Sequence, residues 1–175
     1  MKSTISFLLL AVLLFSCIEN PFKKTTKNID ITPKIVGSWN LLLLKGEDSQ
    51  GHFQYPFDKE VKGFAYFDSN NNFSMQYFDA TRPRMRSNDP FFSSDSEIRI
   101  AFLSGQSLFG KYRLFKDTVG MNIDASLNPN LSGNSEKWYY RIKGDTMLMI
   151  APSRNFNGVF LKEYSIWLKA GEQLY

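Results

Sequence analysis

One cysteine and one histidine in 175 residues remove several kinds of chemistry at once. Cys17 has no second thiol to pair with, so no disulfide framework can form. Cys17 and His52 together fall short of the tetrahedral nitrogen and sulfur set that a zinc site takes, and no metal or other cofactor is expected. A nucleophile elbow of the Gly-x-Ser-x-Gly kind is missing, so no catalytic residue is assigned. Charge of one sign is also lacking. Lys and Arg number 21 against 17 Asp and Glu, and they are scattered along the chain, which leaves no footprint for nucleic acid. The apolar run from Ile5 to Phe15, broken only by Ser6, is 11 residues long, whereas a membrane span needs about 20.

That short run has a different use. Lys2 precedes it and Leu14-Phe15-Ser16-Cys17 follows, the order of an export signal ending in a lipobox. A small residue before the cut lets the peptidase approach, and the thiol after it accepts a diacylglyceryl group. Residues 1–16 are therefore expected to be a lipoprotein signal peptide, and Cys17 the lipidated residue. The alternative is a plain secretory signal, or a short membrane anchor, with an incidental cysteine. Residues 17–33 are polar, carry Lys23, Lys24 and Lys27, and are punctuated by Pro21 and Pro33. Such a segment reads as a flexible tether. The chain is then exported and lipid-anchored to a cell-envelope membrane, facing the periplasm.

What is abundant is aromatic: 16 Phe, 8 Tyr and 3 Trp, the residues that pack a pleated face. From residue 34 to 175 the pattern is that of strands. Val36–Leu44 is the first, with Trp39, Leu41 and Leu43 on one face. Val61–Phe67 and Phe73–Phe78 follow, joined by the turn formers Asp68-Ser69-Asn70-Asn71-Asn72. Lys111–Phe115, Val119–Leu127, Trp138–Ile142, Met147–Ile150 and Val159–Leu168 complete the set, with Lys143-Gly144-Asp145 as a tight hairpin turn. Glu97–Leu108 is the one helical candidate, capped by Ser94 or Asp95, with Ile98, Ala101 and Phe102 on one face. Eight antiparallel strands and one short helix predict an all-β domain closed into an up-and-down barrel, because closure abolishes exposed edges. A barrel of about eight strands is just wide enough to be filled by side chains or to hold one small ligand.

Several constellations bear on function. Tyr66, Met75, Tyr77, Tyr112 and Trp138 are expected to face the interior as an apolar wall with polar tips. That is the make-up of a small-molecule pocket, and equally of a filled aromatic core. Arg82, Arg84 and Arg86 crowd one loop beside Phe91-Phe92. They are either a solvated loop or a rim that meets an anionic group, such as the carboxylate of an amphiphile. Asp68, Asn70, Asn72 and Asp79 fit part of a calcium-loop spacing, but Phe73 stands where glycine is needed, so the segment reads as a hairpin turn.

Gly37-Ser38-Trp39 matches the Gly-x-Trp that opens the first strand of lipocalins. With Tyr55-Pro56, Gly63-Phe64-Ala65-Tyr66-Phe67, Arg82-Pro83, Ser126-Leu127-Asn128-Pro129-Asn130, Gly133 and Gly144-Asp145, the stretch from 35 to 150 resembles the bacterial and fungal lipocalin-like domain family. The chain departs from the family after Asn130, where Lys137 and Trp138 precede the first arginine, Arg141. The resemblance implies a central cavity. It also implies that Trp39 plugs the closed end under a cation from the last strand, here Lys169. A cation over an indole contributes about 0.5–2 kcal/mol. Fold does not fix function. Three readings stand: a lipid-tethered barrel binding a small hydrophobic molecule, a filled barrel acting as an interaction protein of an envelope complex, and a barrel isomerase or cyclase. The last requires ionisable groups converging inside, and the inferred strand interiors hold almost none.

Overall fold

The computed structural model describes residues 33–55, 57, 60–156 and 158–171. Cys17, the expected signal peptide and most of the expected tether lie outside the described residues. The strands are β1 (Gly37–Glu47), β2 (Phe53–Gln54), β3 (Val61–Phe67), β4 (Asn72–Asp79), β5 (Gly105–Leu114), β6 (Thr118–Ser126), β7 (Ser135–Lys143), β8 (Thr146–Ile150), β9 (Arg154–Phe156) and β10 (Val159–Lys169), with one α-helix, α1 (Asp95–Leu103), between β4 and β5. Eight of the strands form a continuous antiparallel meander in the order β1-β3-β4-β5-β6-β7-β8-β10, and β10 pairs back onto β1 to close the barrel. The two short strands extend the sheet at one end, β2 on β1 and β9 on β10.

The turns explain the meander. Asp68 accepts the backbone N–H groups of Asn70 and Asn72 at 2.9 and 2.7 Å, and Asn71 takes a left-handed φ of 63°, which closes the β3–β4 hairpin. Gly144, at φ 57°, closes β7 onto β8. The aspartate therefore organises its own turn, as the sequence suggested. Among the described residues no group of three or more His, Cys, Asp and Glu side chains is arranged to hold a metal ion.

One end of the barrel is shut. Ile35, Trp39, Phe67 and Phe73 are buried there, with Tyr112 edge-on to Phe67 at 5.3 Å and its hydroxyl donating to the Asp68 carbonyl at 2.7 Å. Met75, Met121, Met147, Met149, Trp138 and Trp167 continue the filling upward. The filled-core reading thus describes the closed half. The opposite end carries α1, the β6–β7 connection and the β8–β9–β10 excursion, and it is open.

Three expectations are corrected. The helix ends at Leu103 rather than Leu108, because β4 captures the chain from Gly105 onward by pairing Phe78 with Gly105. A Cβ at Gly105 would stand 2.0 Å from the Phe78 ring, so the close approach needs a glycine. Ser94 caps the helix as expected, in a full capping box with Glu97. Leu43 does not continue the inward face of Trp39 and Leu41: a β-bulge between Leu41 and Leu43 shifts the alternation, and Leu44 points in instead. Tyr66 also faces out, 45% exposed, because its neighbours Ala65 and Phe67 take the inward positions on either side of it.

Candidate functional site

At the open end lies a cleft of about 510 Å³, lined by Phe57, Tyr77, Phe102, Leu103, Gly105, Gln106, Leu127, Asn128, Leu131, Ser153, Arg154, Asn155, Phe156 and Phe160. Its walls come from α1, the β6–β7 connection and the β9–β10 hairpin. The packed barrel core forms its floor. Phe57 meets the Tyr77 ring edge-on at 5.9 Å. The volume falls in the range of small-molecule sites, and the composition, mostly apolar with a few convergent polar groups, is the usual one.

Beneath the cleft the barrel interior holds a polar set, of which strand periodicity accounts for Glu163 alone, once the phase of β10 is known. Leu161, Ser165 and Trp167 alternate inward, and Glu163 shares their face. Its carboxylate accepts the Tyr77 hydroxyl at 3.0 and 3.2 Å. Across the interior, Arg154 and Glu136 form an ion pair at 2.5 Å, and the Trp138 indole N–H donates to the same carboxylate oxygen at 2.7 Å. Arg154 also lies 5.4 Å from the Trp138 ring. The Arg154 Nε is buried and has no hydrogen-bond partner among the described residues.

Burial sets the protonation of this group. Removal from water pushes the Glu163 carboxyl above the ordinary carboxylate range, and the Arg154 charge and the Tyr77 hydrogen bond only partly offset it. The Tyr77 phenol is raised well above its usual value by burial and by the neighbouring Glu163 charge. Burial is the largest influence and works against the Arg154 cation, but Glu136, Glu163 and Tyr77 together outweigh it and the guanidinium stays charged. The cluster therefore offers one guanidinium donor held by a carboxylate, a phenol, and a carboxyl group inclined to keep its proton.

The sequence-predicted residues fall in different places. Tyr77 lines the cleft, and Met75, Tyr112 and Trp138 are buried in the barrel core below it. Tyr66 points away from the interior. Arg82 and Arg84 are exposed on the β4–α1 connection and do not line the cleft; Arg82 stacks on Phe78 at 4.4 Å. Arg86 uses its backbone N–H to hold Glu97 at 2.9 Å. Trp39 is fully buried at the closed end, its indole N–H donating to the Ile35 carbonyl at 2.8 Å, with the Lys169 ammonium 5.6 Å from its ring. His52 is an exposed loop residue beside Asp48.

Glu136, Arg154 and Glu163 escaped the reading of the sequence, as did the apolar mouth residues Phe57, Phe102, Leu103, Phe156 and Phe160. The expectation that the interior is almost free of ionisable groups is therefore corrected. Arg154 carried no pattern, because the three residues of β9 form no periodic run.

No curated protein matches the chain. The family model described as a lipocalin-like domain matches residues 36–169, and the chain belongs to that lipocalin-like domain family.

Proposed function

We propose that this protein is a lipid-tethered binding module: a barrel, anchored through Cys17 to a cell-envelope membrane and facing the periplasm, that holds a small and largely hydrophobic molecule in its mouth. The observation that carries the binding reading is the cleft itself, about 510 Å³ of mostly aromatic and aliphatic wall over a polar floor at the open end of a family barrel. Burying apolar ligand surface against such a wall contributes about 25 cal/mol per Å² before the cost of association. The anchoring reading rests on the sequence Leu14-Phe15-Ser16-Cys17.

Native mass spectrometry of the full chain purified from its expression host tests the first half. A co-purifying molecule, lost on Phe102→Ser with Phe156→Ser, is the expected result; a bare protein that also ignores a panel of apolar probes overturns it. For the second half, Cys17→Ala should abolish fatty-acid labelling in cells and block cleavage after Ser16. Continued incorporation of labelled fatty acid into that variant would refute lipidation at Cys17.

A second reading, an interaction protein of the envelope, draws on Phe91 and Phe92, which stand 96% and 82% exposed beside the mouth. Replacing both by Ser should then abolish co-purification of a partner protein while leaving any bound small molecule in place.

A further inference from the structure

The sign and placement of charge around the cleft narrow the ligand class. We infer that the cleft takes a neutral molecule bearing a carbonyl or hydroxyl oxygen, seated with that oxygen inward on Arg154 and its apolar body outward against Phe57, Phe102, Leu103, Phe156 and Phe160. This rests on the binding reading above and specifies its ligand.

Three observations carry it. The first is an unsatisfied donor. The Nε–H of Arg154 is buried without a partner among the described residues, and an orphaned buried donor is costly, which favours an acceptor brought against this guanidinium. The second is charge balance. Among the described residues lining the cleft Arg154 is the one that carries a charge, and Glu136 already neutralises it at 2.5 Å. Glu163 and the Tyr77 phenol stand next to that pair and bring no positive charge. A carboxylate entering the floor would meet no free cation among the described lining residues and would place a further negative charge near Glu136 in a medium of low dielectric. A neutral oxygen accepts from the guanidinium and disturbs no balance. The third is the order of the surfaces. Gln106, Asn128, Ser153 and Asn155 add only neutral hydrogen-bonding groups, and the arginines of the β4–α1 connection lie outside the lining. Arg154, backed by Glu136 and by the Tyr77–Glu163 pair of the barrel interior, stands on the inner side of the cleft, so an amphiphile seats its head inward, the reverse of a fatty acid reaching out to a basic rim.

Displacement of the neutral dye Nile red from the full chain tests this, with decanol, methyl octyl ketone, decanoate and the plain alkane decane as competitors of equal chain length at neutral pH. The ketone and the alcohol should displace the dye at concentrations at least about tenfold lower than decanoate. The donor is probed by Arg154→Lys, which keeps a cation for Glu136 but removes Nε. The paired variant Arg154→Met with Glu136→Gln removes the donor without leaving a buried charge unpaired, and circular dichroism checks that either variant folds. Both should weaken the ketone about tenfold and leave decane displacement unchanged. Decanoate competing as well as the ketone, or a ketone affinity indifferent to both variants, would overturn the ligand class while leaving the binding reading intact. Failure of the chain to bind Nile red or any of the competitors would overturn both.

Discussion

At the closed end, Trp39 is fixed by two directional contacts, a hydrogen bond from its indole to the Ile35 carbonyl at 2.8 Å and the Lys169 ammonium 5.6 Å from its ring, on top of complete burial. Trp39→Ala removes the largest side chain from a site that strand pairing on both sides prevents from collapsing. Chemical denaturation should show a loss of about 3–5 kcal/mol. A loss below about 1 kcal/mol would mean that the plug is dispensable. Lys169→Met tests the smaller component and should cost no more than about 2 kcal/mol. Trp39 was legible from three letters of sequence. Glu163 was not, for a physical reason: a lone acidic residue on a strand looks like a solvent-facing one until the inward phase of that strand is known. Here the phase is set by Leu161, Ser165 and Trp167.

The element most exposed to a change of conditions is α1. No residue of the helix is buried, so little apolar packing holds it, and its position depends on its cap. Glu97 supplies most of that hold by accepting the backbone N–H groups of Arg86 and Ser94, each at 2.9 Å, and the Ser94 hydroxyl at 2.7 Å. The Arg86 N–H first, then those from Ser94, draw the carboxyl from 4.5 down to about 2. A depressed carboxyl contributes stability that is full above the unfolded value and is lost as pH falls through the folded one. Amide exchange in residues 95–103 should therefore accelerate as pH drops from 4.5 toward 2, after correction for intrinsic rates, and Glu97→Ala, which removes the acceptor, should show fast exchange already at neutral pH. Unchanged protection in that variant would show that packing, not the cap, places the helix. The same weak packing explains why the helix boundary was misjudged. Periodicity sees Gly105–Leu108 as one more apolar turn, whereas the ladder to β4 fixes those residues as strand.

For the molecule as a whole, the strand count, the meander and the closure were legible because alternation and turn chemistry agree along most of the chain. What was not legible arises where elements meet. The cleft is assembled from five segments distant in sequence, and the polar set beneath it joins residues from β4, β7, β9 and β10. That set gives the fold a pH dependence opposite in sign to that of α1. With Glu163 held above its ordinary range, its contribution is full below the unfolded value near 4.5 and declines as pH rises toward the folded one. The unfolded chain releases its proton first, so the melting temperature should fall across that window. Glu163→Gln, which keeps an acceptor for Tyr77, should flatten the slope. A parent protein whose stability is level between pH 4.5 and neutrality would show that Glu163 is ionised in the fold.

The bulge in β1 has one more effect. The ladder between β1 and β3 runs from Gly37–Asn40 against Phe64–Phe67 and stops there, while β1 goes on toward the mouth paired to β10. On that side Leu41 leans over Gly63, where a Cβ would come within 2.9 Å of it. Among the described residues, that stretch between β1 and β3 is held by the packing of Leu41 on Gly63 rather than by a row of ladder hydrogen bonds, so its firmness is a matter of side-chain fit. Leu41→Ala should speed amide exchange in residues 61–63 ahead of the rest of β3. Unchanged exchange there would show that pairing with β4 alone holds that end of the strand.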